Sequence, residues 1–352
     1  MITALIFIIV LSVIIFVHEL GHFVMAKKAG MKVEEFGFGF PPRLWGHKPK
    51  NSETTYSINW IPFGGFVKIF GEDGEHPDQA RSFSVKSFSQ KVSVIVAGVV
   101  MNIVLGAVLF SIINLVGTRI PVEAAGSATI KDIKVQITNI AKGSPAESAG
   151  LQALDEVVGF QTVEEFQNHI TAQKGNSTEL NLKRGEKSFQ VTVVPRVDPP
   201  AGEGALGIGL AKTGYVSYPI HEAIWLGIKS AFYIFWKIFK GLGILLKNLL
   251  TTGSAGGDVT GPVGIAIITG EQARLGLTYL LNFMAFISLN LAVINILPIP
   301  ALDGGRLLFL IIEKIKGSPI KKNVEAIVNN VSFMALILLM FFITARDIIK
   351  FL

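Results

Sequence analysis

The chain has 352 residues, of which 50% are hydrophobic and 16% charged, with 32 Lys and Arg against 26 Asp and Glu and no Cys. Soluble proteins average roughly 25% charged residues, so this composition excludes disordered, collagen-like and coiled-coil classes and points to a membrane protein with some soluble mass attached. The missing Cys removes disulfides, thiolate metal ligands and a Cys nucleophile, and the mild net charge of +6 suits anionic lipid and membrane topology rather than nucleic acid.

Residues 1–27 are apolar from Ile2 to Val17, then carry His18, Glu19 and His22 before Lys27 and Lys28. With neither a basic start nor a small-residue cleavage site, the segment reads as a first spanning helix rather than a cleaved signal. Residues 28–90 form a loop with apolar, Gly-punctuated strands. Phe36 to Phe40 precede Pro41-Pro42, and Thr54–Ile61 and Phe66–Phe70 flank Pro62-Phe63-Gly64-Gly65 as an expected hairpin. Two readings stay open for it: a small stabilising sheet, or an edge offered to an unwound peptide that dips toward the bilayer.

A second span is expected over 91–118. Charges return over 122–212, where Lys134–Ile140, Val157–Phe160, Thr178–Lys183 and Lys187–Val194 have strand length and β-branched content. Val163–Ala172 suits a short helix, and Arg184-Gly185-Glu186 a hairpin turn. Over 219–250, Glu222, Lys229, Lys240 and Lys247 share one helical face between Trp225, Phe232, Phe235, Trp236 and Phe239. Such a charged stripe with aromatic flanks fits a helix lying in the membrane interface. A third span follows at 277–303 and a fourth at 324–346, closed by Arg346.

Lys27, Lys28, Lys32, Lys86 and Lys91 cluster between the first two spans, and Arg306, Lys314, Lys316, Lys321 and Lys322 between the last two. The positive-inside rule puts both loops in the cytoplasm, and both termini and residues 122–212 outside.

His18-Glu19-Leu20-Gly21-His22 is an H-E-x-x-H motif. Positions four apart share a helix face, so two imidazoles can reach one metal while Glu19 stands ready as a base. Ionisable groups inside a span are costly and read as functional. A catalytic zinc takes three protein ligands and a water, so a third ligand must come from the same membrane depth. Asp303, in Leu302-Asp303-Gly304-Gly305, is placed there by the topology; Asp before Gly also commonly makes a helix-end turn. Histidine and carboxylate donors suit zinc without excluding iron or cobalt.

These residues also carry a resemblance. His18-Glu19-Leu20-Gly21-His22 in the first span, Asn295-Ile296-Leu297-Pro298-Ile299-Pro300-Ala301-Leu302-Asp303-Gly304, Thr260-Gly261-Pro262-Val263-Gly264-Ile265 and Gly37-Phe38-Gly39-Phe40 resemble the site-2 protease family, intramembrane zinc metalloproteases of the M50 type. Within it the chain is most similar to the bacterial regulator-of-sigma-E protease branch. Gly143-Ser144-Pro145-Ala146-Glu147-Ser148-Ala149-Gly150-Leu151 resembles the loop and short helix of circularly permuted PDZ domains, with Leu154-Asp155 where Gly-Asp is usual.

The resemblance implies four transmembrane helices, a cytoplasmic-side membrane-associated β-hairpin or sheet, and an inserted α+β PDZ domain, where the best-known members of the branch have two. It implies one Zn2+ held by His18, His22 and Asp303, Glu19 as general base, and Asn295, Gly64 and Gly65 in contact with substrate. The partners it implies are the lipid bilayer of a bacterial inner membrane and single-pass transmembrane substrates such as anti-sigma factors or signal-peptide remnants. Two other readings compete: a non-catalytic membrane PDZ scaffold, and an ion or proton transporter using His18, Glu19 and Asp303 as a relay.

Overall fold

The computed structural model describes residues 2–72, 79–122, 128–185, 187–253 and 260–351. In chain order its elements are α1 (Ile2–Lys28), β1 (Val33–His47), β2 (Thr55–Ile69), α2 (Phe88–Val116), β3 (Thr118–Pro121), β4 (Thr129–Ile140), α3 (Pro145–Ser148), β5 (Glu156–Val157) and α4 (Val163–Ala172). There follow β6 (Thr178–Arg184), β7 (Lys187–Val193), β8 (Ile208–Ser217), α5 (Ile220–Thr252), α6 (Pro262–Leu275), α7 (Leu277–Ile296), α8 (Asp303–Lys316) and α9 (Lys322–Phe351). They divide into two compact units, the first made of residues 1–112 and 224–352 and the second of residues 113–223.

In the first unit α1, α2, α7 and α9 are long and apolar enough to cross a membrane, the four expected and consistent with a membrane protein. α2 opens on a capping box, in which Ser87 N donates to Gln90 Oε1 and Gln90 N donates to Ser87 Oγ. α5 is one unbroken helix with Trp225, Phe232 and Trp236 exposed. It packs on α2 through Gly227, where a Cβ would lie 2.1 Å from Ser111 Oγ.

The third span differs from the expected 277–303. α7 stops at Ile296, Leu297 turns extended, and Asp303 opens α8 instead of trailing α7. Pro298 and Pro300 account for the break, since each disfavours helix in the residue before it. Gly304 and Gly305 then let the first turn of α8 press on the connector: Cβ atoms there would fall 2.1 Å from Leu297 O and 2.4 Å from Ile299 O.

The small sheet also corrects the sequence reading. Thr55–Ile58 and Gly65–Ile69 are not paired as the two arms of a hairpin. Residues 33–38 of β1 lie between them, with Phe38 matched to both Gly65 and Ile58 and Glu35 to both Lys68 and Thr55. β1 then folds round so that Trp45 also meets Ile58 and His47 meets Tyr56. Buried Asn59 holds this fold by donating to Phe38 O and Gly39 O. Met31, Val33, Ile69 and Phe83 pack the sheet base with Ala26 of α1, whereas Leu44, Trp45, Ile58, Trp60 and Ile61 are exposed.

The second unit is a six-stranded antiparallel sheet in the order β3-β8-β4-β5-β6-β7. Phe166 and Ile170 of α4 cover Val135, Ile137, Val157, Leu180 and Leu182. α4 spans the residues expected, capped by Thr162 Oγ1, which accepts from Glu165 N. Strands were expected at β4, β6 and β7. β5 stops at Val157, and β3 and β8 went unforeseen. Glu186 of the expected turn lies outside the described residues. Leu154, standing where the PDZ pattern has Gly, takes φ +73°.

Candidate metal centre

The apolar run of α1 brings His18 and His22 to one face a turn apart, both buried. Their Nε2 atoms lie 3.1 Å from each other. The α7–α8 break delivers Asp303, whose Oδ2 lies 3.0 Å from His18 Nε2 and 3.3 Å from His22 Nε2. That oxygen is buried with no hydrogen-bond donor aligned on it. Two imidazole nitrogens and a carboxylate oxygen do not crowd together in a dry interior without a proton or cation between them. Tetrahedral zinc, with bonds of ~2.0–2.2 Å, spaces its ligand atoms about 3.3–3.5 Å apart. The observed triangle is close to one face of that tetrahedron, and the donor set fits the ion. Among the described residues it is the one His/Asp/Glu group able to hold a metal.

α2 shapes the back of the centre. Gly21 of the motif admits it, since a Cβ there would meet Ala97 O at 2.4 Å. Gly98 reciprocates: its Cβ would fall 2.4 Å from His22 Nε2 and 2.6 Å from His18 Cε1. His22 Nδ1 lies 2.8 Å from Val94 O, so Nδ1–H donates to that carbonyl and leaves the Nε2 lone pair for an ion. His18 Nδ1 faces the side chain of Asn102 at 3.2 Å.

The other expected residues gather unevenly. Asn295 brings Nδ2 to 3.5 Å from His18 Nε2. A Cβ on Gly65 would lie 3.8 Å from Glu19 Cγ, so this edge of the sheet runs beside the expected base. Gly64, with φ +71°, rests on Ile15, where a Cβ would meet that side chain at 2.9 Å. Ser12 Oγ donates to Pro62 O and fixes the sheet tip to α1. Asn290 donates to Phe286 O of its own helix.

Residues 6–339 match the profile of peptidase family M50. The chain belongs to that family. A relative of this M50 peptidase in Clostridium perfringens is 38% identical over 347 residues, 96% of each chain. Zinc metalloprotease RasP of Geobacillus kaustophilus is 30% identical over 429 residues, 98% of this chain and 97% of RasP. Regulator of sigma-E protease RseP of Escherichia coli is 28% identical over 431 residues, 95% of each. The last two alignments exceed the 352 residues of this M50 chain, so RasP and RseP contain sequence without a counterpart here.

Sequence reasoning passed over two residues of the M50 chain, Gly98 and Asn102. A signal was present for Asn102 alone. Asn102 is a polar residue within the apolar stretch of α2, the kind of residue that marks function in a span, and Gly98 stands one turn before it.

Proposed function

We propose that this M50 peptidase is an intramembrane zinc endopeptidase that cuts single-pass membrane proteins within or near their spanning helix. The observation that carries the reading is the His18–His22–Asp303 triangle, two buried imidazoles and one buried carboxylate oxygen, with Glu19 on the same helix beside Gly65. His18, His22 and Asp303 are the ligands in this reading. Zinc bound there supplies Lewis acidity, acidifying water and polarising the scissile carbonyl. Glu19 takes the proton of the attacking water and returns it to the leaving amine. Asn295 offers its amide N–H to the oxygen that gains charge.

A substrate helix hides its carbonyls in internal hydrogen bonds and must unwind before attack. The edge at Gly65–Val67 gives its backbone replacement partners by strand addition, which matters where water is scarce. Gly65 suits a close approach because it has no side chain, and the exposed Trp45, Trp60 and Ile61 suit contact of this sheet with lipid. Lys27, Lys28, Lys314 and Lys316 favour a cytoplasmic side for the centre, with the termini and second unit outside a bacterial inner membrane.

We read the second unit as PDZ-like, supported by its antiparallel sheet, the Pro145–Ser148 turn of helix and α4, and as a filter that passes substrates already trimmed outside. The name of the RseP relative favours regulatory substrates such as anti-sigma factors. The test is purified protein in detergent with a single-span substrate. About one zinc per chain, cleavage abolished by a chelator and restored by zinc, is the expected result. Metal-free protein that still cleaves would overturn the reading.

A further inference from the structure

A neutral imidazole carries one N–H and one lone pair. To present the His18 Nε2 lone pair to an ion, the ring must hold its proton on Nδ1, and a buried Nδ1–H needs an acceptor. For His22 that acceptor is Val94 O, 2.8 Å away. For His18 the facing group is the Asn102 amide at 3.2 Å, on a residue with no exposed surface. Val94, Gly98 and Asn102 are spaced four apart, so they form one stripe of α2. The stripe meets His22 with its first residue, both rings with its second and His18 with its third.

We infer that Asn102 is a positioning residue, its Oδ1 accepting Nδ1–H of His18 and thereby aiming the Nε2 lone pair at the metal; this rests on the metal centre proposed above. The two ends of an amide have the same shape. With Nδ2 turned to His18, Oδ1 is a buried acceptor without a partner. That orientation demands a lone pair on Nδ1 and so puts the ring proton on Nε2, inside the triangle 3.0 Å from Asp303 Oδ2. It suits a ring donating to the carboxylate, not one binding an ion. The opposite orientation suits the ligating ring. Ser288 Oγ donates to Asn102 O and tethers the backbone at this point. The amide can therefore serve the ring with and without the ion.

The experiment compares zinc affinity, by competition with a chelator, for the full-length wild type, Asn102→Asp and Asn102→Leu in detergent. Asp retains an acceptor at Nδ1–H; Leu keeps the bulk and removes it. Loss of such an outer partner typically costs ~10–100-fold in metal affinity. The expected result is that loss for Leu, with Asp binding at least as tightly as wild type and the apo proteins melting alike. If Leu does not fold, Asn102→Ala takes its place. Wild-type affinity in Leu or Ala, or equal weakening in Asp, overturns the inference. Wild type without stoichiometric zinc, or undiminished affinity in His18→Ala, instead overturns the metal centre itself.

Discussion

Gly98 leaves no room for a side chain: a methyl group would fall 2.4 Å from His22 Nε2 and 2.7 Å from His18 Nε2. Gly98→Ala must push α2 off α1 or turn both rings, so bound zinc and cleavage should each fall at least about tenfold, as for other losses of metal positioning, with helix content by circular dichroism unchanged. Glu19 poses the opposite case. Gln fills the same space and leaves the triangle intact but cannot take a proton. Glu19→Gln should keep wild-type zinc content and lose roughly 10²–10⁴-fold in rate; cleavage at the wild-type rate would remove Glu19 as the base. His18, Glu19 and His22 were legible because one turn of helix fixes them relative to each other. Asp303 was legible through topology and through the resemblance carried by its Asn295–Gly304 stretch. Gly98 was not, since its meaning lies in what it lacks and in which face of α2 meets α1, and neither is local in sequence.

Elements that depend on partners distant in sequence were the least legible. The turn-rich Pro62–Gly65 segment reads locally as a hairpin, yet residues 33–38 occupy the space between its arms. Pairing of this kind is decided by tertiary competition. β8 was missed because Gly209 and Gly214 dilute its β-branched content, although it pairs on both sides, with β3 and with β4. Leu154 bears a left-handed φ of +73°, a conformation that glycine adopts at no steric cost. The Thr260–Ile265 motif gains a reason from α9. Gly261, the N-cap of α6, has no side chain to cap with, and buried Asp347 Oδ2 accepts from Gly261 N at 2.9 Å and Gly264 N at 2.8 Å. Hydrogen bonds to a charged group contribute ~1.5–3 kcal/mol each. Asp347→Ala should therefore lower the thermal midpoint markedly, while Asp347→Asn, which keeps one acceptor oxygen, should recover most of it. An Ala variant melting with the wild type would show that the cap does not hold α9 to α6.

At the scale of the whole molecule, every residue proposed for chemistry belongs to the unit that excludes residues 113–223. The inserted unit begins and ends side by side, because β3 and β8 pair with Thr118 opposite Val216. An insertion whose ends adjoin can be removed with a short linker at little entropic cost, since closure depends only weakly on loop length. Its own core around Phe166, Leu180 and Leu182 gives it a separate basis for stability. The return of charge after Pro121 makes this division legible in the sequence, whereas its β3 and β8 boundaries depend on strand pairing across the whole insertion and leave no local mark. If the unit filters substrates, replacing residues 118–217 by a Gly/Ser linker should leave zinc content at the wild-type level. A substrate already trimmed outside should still be cut, and an untrimmed one, refused by the intact protein, should now be cut at a comparable rate. Mass spectrometry of the fragments from both substrates reads the outcome. Unchanged refusal of the untrimmed substrate, with zinc retained, would place the selection within the membrane unit and leave the inserted sheet some other task.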